Sequence, residues 1–492
     1  MKLLGLWPGL PGKEISFWLW PLDPAYKAGP AGHLPVIRFS TPDLPLSSIS
    51  QESFSVMPHS PVQNTHASVR HYYFQNIFID TGDKFLLYKR KFLFHFGKKR
   101  MFHTADPKEI KEGKLTDIYF VRTMQVLKAK KIDKWVKVEF IAKRFPEDYG
   151  WGVLAGVEEA AYLLKDLKVS VRAMKEGTIF RAFEPVMEIE GMYTDFGLYE
   201  TSLLGLICQA SGVATKAARC KKAACDRRVI SFGARRIHPV VAPMVERNAF
   251  IGGCDGVSVV KNAELIGEEP AGTMPHALIL IMGDTVEATR AFDEVINPKV
   301  RRVSLIDTFN DEKIEAIRVA EALGKRLFGI RLDTPSSRRG DLQKIIEEIR
   351  WELNLRGFGH VQIYVSGGLD EKRILALNPV VDAYGVGTSI TNARVIDFAM
   401  DIVEMDGKPI AKRGKMSGSK SVFRCSKCFQ DRMVPFQKNR GRSTPGANRC
   451  SCGGRLKELL IPFVRNRKIL WDLPRPQAIR KYVLEQLPHY DL

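Results

Sequence analysis

Short apolar runs and helical segments alternate between Val229 and Met400, and this alternation limits the possible folds more than any other feature of the chain. Four of the runs, VSLID, GIRLD, VQIYVSGG and VDAYGVGT, end at Asp307, Asp333, Gly368 and Thr388. Strands joined by helices through right-handed crossovers form either a barrel or a doubly wound parallel sheet. Polar residues and glycines directly after the strands are typical of the carboxyl-terminal face of a (β/α) barrel. We therefore predict an α/β protein with a barrel and a functional site at that face.

Composition narrows the class of protein. The chain has 492 residues, 45% of them apolar and 26% charged, which is typical of a globular protein with two or three domains. No run of about 18 or more uncharged apolar residues occurs, so we expect no membrane-spanning helix. The net charge of +20 favours a polyanionic partner, either nucleic acid or a phosphorylated metabolite.

The eight cysteines do not form the pattern of a secreted disulfide framework, so we expect a reducing, cytoplasmic location. The last four are Cys425-x2-Cys428 and, 21 residues later, Cys450-x-Cys452. Two close pairs of thiolates suit tetrahedral Zn²⁺, and four ligands leave no open position, so the predicted zinc is structural. A ribbon of this kind can also bind nucleic acid, and the adjacent KNRGR segment keeps that alternative open.

The first 100 residues differ in character from the rest. They are rich in proline and serine and end in the basic KRKFLFHFGKKR segment, before ordinary globular sequence begins at Met101. We predict that residues 1–100 are an unstructured or spurious extension. After it, Asp106 is expected to cap a helix that begins at Pro107, and WVKVEFIAK and GVEEAAYLLKDL predict a strand and a helix.

Two glycine turns follow consecutive late strands. Ser366-Gly367-Gly368 follows VQIYV, and Gly387-Thr388 lies at the end of VDAYGVGT. Backbone N–H groups in such turns form an anion cradle, and barrels commonly bind phosphate at this position. The alternative is tight packing of strand on helix.

Two further segments place arginines near strand ends. SFGARRIHP combines Phe232 with Arg235 and Arg236, which suits a flat ring with an anionic group, or phosphates. IRLDTPSSRRG adds Arg331 and Asp333, and the carboxylate of Asp333 could hold Mg²⁺.

GTMPHAL, residues 272–278, places His276 before an apolar run that we predict as a strand, Ala277–Met282. A single histidine beside an apolar strand is more often a structural residue than a catalytic one.

Seven motifs together resemble the nicotinate phosphoribosyltransferase family in its short, archaeal-type form. They are TDIYF, SFGARR, GGCDGVS, GTMPHAL, IRLDTPSSRRG, VSGGLD and YGVGTS. The resemblance extends from Met101 to the C-terminus and includes the cysteine motif, whereas residues 1–100 take no part in it. It implies a type II phosphoribosyltransferase with an incomplete barrel at 201–404. An α/β sandwich domain at 101–200 would be completed by segments at about 405–424 and 457–492, and a zinc knuckle would occupy 425–456.

The resemblance also implies an activity. Enzymes of this family join nicotinate to 5-phosphoribosyl 1-pyrophosphate, giving nicotinate mononucleotide and pyrophosphate for NAD biosynthesis. They couple this reaction to ATP hydrolysis and use Mg²⁺. The family implies a homodimer or higher homo-oligomer with shared active sites, and we expect no membrane and no nucleic-acid partner.

The family motifs assign roles to residues of this chain. His276 matches the histidine that ATP phosphorylates, and neutral imidazole is a competent nucleophile for that step. Phe232 matches an aromatic residue against one face of the pyridine ring, and Tyr119 one that reaches the other face from the neighbouring subunit. Thr273 and Arg331 match residues at the nicotinate carboxylate, and Asp255 is expected near the ring nitrogen. Asp333 is expected to be catalytic and to face the ribose hydroxyls or Mg²⁺. The residues that match the phosphoribosyl pyrophosphate site are Arg235, Ser366, Gly367, Gly368, Gly387 and Thr388.

One departure and two alternatives remain. Ala234 is smaller than the residue that commonly follows Phe-Gly in the family, which could change the width of the pocket. Quinolinate phosphoribosyltransferase shares the fold class but needs a more basic pocket and no phosphorylated histidine. A zinc-ribbon nucleic-acid-binding protein is the alternative from another class.

Overall fold

The computed structural model describes residues 102–333, 340–436 and 449–492, together with four short strands nearer the N-terminus. The chain divides into two compact units, Met1–Thr104 and Ala105–Leu492. In the first unit β1 (Ile15–Trp18) pairs with β2 (Val36–Phe39) and β3 (Ile77–Asp80) with β4 (Phe85–Tyr88), both antiparallel. The remainder of the predicted extension lies outside the described residues, and its being spurious stays a prediction.

The second unit begins with a mixed α/β segment. Its elements are α1 (Pro107–Lys111), α2 (Ile118–Lys130), β5 (Trp135–Ala142), β6 (Gly152–Val153), α3 (Val157–Leu164), β7 (Val169–Ala173), β8 (Ile179–Phe180), β9 (Pro185–Met192), α4 (Tyr193–Phe196) and α5 (Glu200–Ala224). The predicted cap of α1 is confirmed: Asp106 Oδ1 accepts from the backbone N–H of Lys108 at 2.8 Å, and Glu109 accepts from that of Asp106 at 2.9 Å. This reciprocal pair is a capping box, which satisfies the free N–H groups of the first turn.

A parallel βα segment follows. It comprises β10 (Arg228–Ser231), α6 (Ala242–Ile251), β11 (Gly256–Val257), α7 (Val260–Ile266), α8 (His276–Met282), α9 (Thr285–Val295), β12 (Val303–Leu305), α10 (Glu312–Leu323), β13 (Gly329–Leu332), α11 (Leu342–Leu355), β14 (Gln362–Ser366), α12 (Glu371–Leu377), β15 (Ala383–Val386) and α13 (Thr388–Thr391). The six strands form one open parallel sheet in the order β11-β10-β15-β14-β13-β12. The predicted incomplete barrel is confirmed, and we call this sheet the half-barrel.

The register of the half-barrel aligns the ends of its strands. Ser231 is opposite Val386, and Ser366 is opposite Gly385. Because parallel strands present their carboxyl ends at one edge, the residues that follow β10, β13, β14 and β15 meet there.

The predicted strand after His276 is wrong, because residues 276–282 form helix α8. The run ALILIM is not a core strand: Ile279 is buried, but Leu280 and Ile281 are 57% and 84% exposed. A short apolar run fits either structure by periodicity alone. The helix places His276 at its first position, beside the carboxyl edge of the half-barrel.

The C-terminal segment returns to the first α/β segment. Its elements are β16 (Phe398–Met405), β17 (Lys408–Pro409), β18 (Lys420–Cys425), β19 (Asp431–Pro435), β20 (Leu456–Glu458), β21 (Ile461–Arg465), β22 (Lys468–Ile469) and α14 (Pro476–Gln486). A seven-stranded sheet has the order β17-β16-β5-β9-β7-β21-β22, so early and late parts of the chain share it. Since β16 belongs to this sheet, the segment that joins it begins at Phe398, earlier than the boundary expected near residue 405.

Helix α5 links the two sheets. Its Leu203 and Ile207 pack in the core of the seven-stranded sheet, whereas Val213 and Ala217 pack in the core of the half-barrel. Among the described residues, no helix is both long enough and apolar enough to cross a membrane.

Candidate active site

A cleft of about 480 Å³ lies at the carboxyl edge of the half-barrel. Ten of the predicted site residues line it: Phe232, Arg235, Thr273, Arg331, Asp333, Ser366, Gly367, Gly368, Gly387 and Thr388. They come from distant parts of the sequence and meet because each follows, or lies in, a strand or loop at the same edge.

One end of the cleft combines an aromatic ring with a buried cation. Phe232 directly follows β10, and its N–H donates to the carbonyl of Val386 at 2.8 Å. Its ring occupies the space that a side chain at Gly385 would fill, so glycine is needed there. The guanidinium carbon of Arg331 lies 5.9 Å from the ring centroid. This geometry suits a flat, negatively charged ligand.

Arg331 is held in place but keeps hydrogen-bonding capacity. Its Nη1 donates to Oγ1 of Thr273, and its buried Nε has no partner among the described residues. Burial lowers the pKa of Arg331, while Asp333 and Asp307 act in the opposite direction. An arginine remains charged under these conditions. The site therefore offers a positive charge whose remaining donors could receive a carboxylate.

Two aspartates at neighbouring strand ends are tied together. The N–H of Asp333 donates to Oδ2 of Asp307 at 2.7 Å, and Oγ of Ser366 donates to Oδ1 of Asp333 at 2.9 Å. The side chain of Asp307 is only 2% exposed, and its Oδ1 is buried without a hydrogen-bond partner among the described residues. Burial raises the pKa of Asp307 above the usual value for aspartate. An unpaired buried carboxylate oxygen is costly and is suited to receiving a cation or a donor.

His276 faces this pair. Its Nδ1 lies 3.0 Å from Oγ1 of Thr308. Its Nε2 lies 3.8 Å from Oδ1 of Asp307 and 3.9 Å from Oδ2 of Asp333. With 38% of its side chain exposed, the imidazole is accessible to solvent. One nitrogen is thus anchored, and the other points toward two carboxylates.

The two glycine turns form the opposite end of the cleft. Gly367 and Gly368 have φ values of +90° and +62°, a region that favours glycine. Oγ of Ser389, in α13, donates to the carbonyl of Leu369 at 2.7 Å and joins the turn after β14 to the turn after β15. The two turns therefore form one rigid concave surface whose backbone could bind an anion.

Two predicted site residues lie elsewhere. Asp255 precedes β11 at the amino end of the sheet, where Lys221 and Arg480 pair with it and the N–H of Val229 donates to it at 2.9 Å. Its carboxylate is paired within this cluster, so the expected position near a ring nitrogen is wrong and Asp255 has a structural role. Tyr119 is 56% exposed on α2 and does not line the cleft of its own chain.

The structure adds residues that the sequence did not single out. Ser258 lines the cleft, and the buried carboxylate of Glu246 fixes it by accepting from its Oγ at 2.7 Å and from its N–H at 3.1 Å. Thr308 anchors His276, and its place directly after Asp307 at a strand end was the available signal. Arg338 and Arg339, and the basic KNRGR segment, lie outside the described residues.

The four clustered cysteines could hold a metal ion. Their sulfur atoms all lie within 4.8 Å of one another, with Cys425 and Cys452 at 3.4 Å and Cys428 and Cys450 at 3.7 Å. Tetrahedral zinc with Zn–S bonds of about 2.3 Å separates its sulfur ligands by about 3.8 Å. The donor set therefore fits a four-coordinate metal.

Comparisons with known proteins agree with this architecture. Models of the quinolinate phosphoribosyl transferase N-terminal and C-terminal domains match residues 117–211 and 213–401. The solved structure of nicotinate-nucleotide pyrophosphorylase from Pyrococcus furiosus is 53% identical, with a TM-score of 0.77, over 80% of this chain and 99% of that one.

Two relatives carry the name nicotinate phosphoribosyltransferase. The Bacillus subtilis protein is 30% identical over 56% of this chain, and the match spans 63% of its own length. The Mycobacterium tuberculosis protein pncB2 is 31% identical over 64% of this chain and 68% of that protein. The family models, the relatives and the half-barrel cleft together establish that the chain belongs to the nicotinate phosphoribosyltransferase family.

Proposed function

We propose that this protein transfers the phosphoribosyl group of 5-phosphoribosyl 1-pyrophosphate to nicotinate, giving nicotinate mononucleotide and pyrophosphate. The observation that carries the proposal is the cleft, which has an aromatic ring and a buried arginine at one end and a pair of joined glycine turns at the other. The names of the relatives support the same reaction.

Nicotinate binds, in this proposal, with its ring against Phe232 and its carboxylate at Arg331 and Thr273. The guanidinium favours the acid over the uncharged amide, since only the acid supplies a full negative charge. With the uncharged amide bound, the buried guanidinium of Arg331 would face no anionic group of the ligand, which is costly.

The other substrate spans the cleft. Its 5-phosphate is assigned to Ser366, Gly367, Gly368, Gly387 and Thr388. Arg235, at the edge next to Phe232, is assigned to the pyrophosphate and Asp333 to the ribose hydroxyls. As the C1–oxygen bond to pyrophosphate breaks, positive charge develops on the ribose ring, and the protein contributes mainly position and electrostatic stabilisation.

His276 is proposed to accept the γ-phosphoryl group of ATP. If the proton of the ring lies on Nδ1, toward Thr308, then Nε2 carries the lone pair that faces the cleft. Nε2 attacks the γ-phosphorus, the bond to the bridging oxygen of ADP breaks, and ADP leaves. Water later takes the phosphoryl group and restores the imidazole. Hydrolysis coupled in this way would drive the synthesis of the mononucleotide.

Asp307 and Asp333 are the residues that would hold Mg²⁺. The unpartnered Oδ1 of Asp307 supports this assignment, and oxygen ligands are those that the ion prefers. When bound, the ion would neutralise phosphate charge that the two carboxylates would otherwise repel.

Zinc at Cys425, Cys428, Cys450 and Cys452 is proposed as structural. The hydrogen bond of the adjacent Arg424 to the carbonyl of Ile179 ties this region to β8. None of the eight cysteines, all of which lie in the described residues, forms a disulfide bond, which supports the proposed cytoplasmic location.

A homodimer, or a higher oligomer built from it, is proposed because Tyr119 does not reach the cleft of its own chain. Ile118, Tyr119 and Val126 of α2 are more than half exposed and form a face that a second copy could cover. Tyr119 would then reach the partner's cleft. Small-molecule substrates and a second copy are the proposed partners, without nucleic acid.

The test is a product assay with purified protein, 5-phosphoribosyl 1-pyrophosphate and either nicotinate, nicotinamide or quinolinate, each with and without ATP. We expect nicotinate mononucleotide from nicotinate, in greater yield with ATP. Preferential use of nicotinamide, or no product from nicotinate, would contradict the proposal.

Quinolinate phosphoribosyltransferase activity is the second candidate, because both matching family models carry that name. Quinolinate has a second carboxylate next to the ring nitrogen, and Arg235 or Arg236 would have to receive it. Release of CO₂ from quinolinate distinguishes this reaction from the first.

A further inference from the structure

The first turn of α12 stands beside the glycine turn that follows β14, and a buried ion cluster fixes it. The carboxylate of Glu371 accepts from Nζ of Lys216 at 2.7 Å and from Nε of Arg219 at 3.2 Å. All three side chains are at most 10% exposed. Rotation of this turn would leave buried charges unpaired, so the turn has a single orientation.

The same turn places Arg373 beside Gly368, which lines the cleft. Oδ1 of Asp370 accepts from its backbone N–H at 2.9 Å. Its Nη1 lies 3.5 Å from the position that a Cβ on Gly368 would occupy. The side chain is exposed, and in the described part of the chain no acceptor pairs with its guanidinium. A cation with free donors therefore stands directly against the turn.

Two other exposed arginines, Arg235 and Arg236, line the cleft but lie away from the turn that follows β14. Arg235 and Arg236 follow β10, and β15 separates that strand from β14. Adjacent strands are about 4.8 Å apart, so the two arginines start about 10 Å from the turn after β14. Arg373 is the cation placed to meet an anion that the glycine turns hold.

We propose that Arg373 binds the 5-phosphate of the phosphoribosyl substrate and makes the site selective for a phosphorylated ribose. This inference rests on the proposed function, which assigns that phosphate to the glycine turns. A phosphomonoester dianion accepts two parallel hydrogen bonds from a guanidinium, and the backbone N–H groups of the turn supply further donors. Arg373 contributes to binding of the 5-phosphate, whereas the departing pyrophosphate is assigned to Arg235, which follows β10.

The experiment compares Arg373→Ala and Arg373→Lys with Lys372→Ala. The control removes the same charge from the neighbouring exposed position of α12. We expect Arg373→Ala to raise the KM for 5-phosphoribosyl 1-pyrophosphate and the inhibition constant of ribose 5-phosphate about tenfold. The kcat, the KM for nicotinate and the inhibition constant of pyrophosphate should stay within about twofold of wild type. Arg373→Lys should recover part of the loss.

Two results would overturn the assignment. One is that Arg373→Ala weakens the binding of ribose 5-phosphate and the binding of pyrophosphate equally. The other is that Lys372→Ala weakens the binding of ribose 5-phosphate as much as Arg373→Ala does. Calorimetric titration of the unreacted protein with ribose 5-phosphate separates this inference from the proposed function. A protein that makes no nicotinate mononucleotide contradicts the function, whereas an unchanged dissociation constant in Arg373→Ala contradicts the role of Arg373.

Discussion

The cleft of the half-barrel and the cluster of four cysteines are both compact sites, yet they are assembled in opposite ways. The cysteine cluster uses two close pairs of residues on one excursion of the chain between β18 and β20. The cleft uses residues from six separate segments, from Phe232 to Thr388, that only the parallel register brings together. A site built from local sequence is expected to affect stability, whereas a site built at the strand ends is expected to affect chemistry.

The largest expected effect lies in the cleft. His276→Ala should abolish ATP hydrolysis and leave a slow, ATP-independent formation of nicotinate mononucleotide, because the substrates still bind while the phosphoryl acceptor is absent. His360→Ala, an exposed histidine before β14, is the control and should hydrolyse ATP at the wild-type rate. ATPase and product assays on the same samples measure both reactions. Unchanged ATP hydrolysis in His276→Ala would remove the phosphohistidine from the mechanism.

Arg331→Ala is expected to have the second largest effect. Loss of a charge-assisted contact should lower kcat/KM for nicotinate about 100-fold and reduce the preference for the acid over the amide. Arg301→Ala is a matched control, since Arg301 also stands over an aromatic ring, that of Phe328, but at the amino end of the sheet. Steady-state kinetics with both substrates decide the outcome. An acid preference that survives in Arg331→Ala would place the carboxylate elsewhere.

Cys428→Ser tests the other region. If the four cysteines hold structural zinc, this change should lower the Tm by about 5–10 °C and release the metal, with the KM for nicotinate unchanged. Cys225→Ser, at an exposed free cysteine, should alter neither quantity. Thermal unfolding and metal analysis are the measurements. A large shift in nicotinate affinity would show that the two regions are coupled.

The smallest effect is a pH dependence at the start of α5. Burial and then the nearby Asp401 carboxylate raise the pKa of Glu200 from 4.5 to about 7. In the unfolded chain the group ionises first, so the free energy of unfolding should fall as the pH rises from 4.5 to 7 and then level off. Glu200→Gln should remove about 1–2 kcal/mol of this fall, allowing for partial solvent exposure.

Urea unfolding at pH 5 and pH 8 measures the effect, with the exposed Glu321→Gln as control. Equal pH dependence in wild type and Glu200→Gln would show that Glu200 is solvated. Unchanged kinetics at the cleft would keep this region separate from the chemistry.

Two local patterns predicted the structure that the chain adopts. The cap at Asp106 follows from Asp-Pro and the glutamate three residues later, and the cysteine spacing brings four sulfur atoms together. The run after His276 was misread because six apolar residues fit a strand or a short helix equally well. The exposure of Leu280 and Ile281 is a property of the tertiary structure that periodicity does not predict.

Asp255 shows the limit for function. Its GGCDG motif pointed to the substrate, but Lys221 and Arg480, which pair with it, come from helices far apart in the chain. The sequence by itself determined the alternating βα pattern, the half-barrel and the residue types available at its strand ends. Only the tertiary structure decided which of those side chains reach the cleft, because strand register and long-range ion pairs fix where a charged group points.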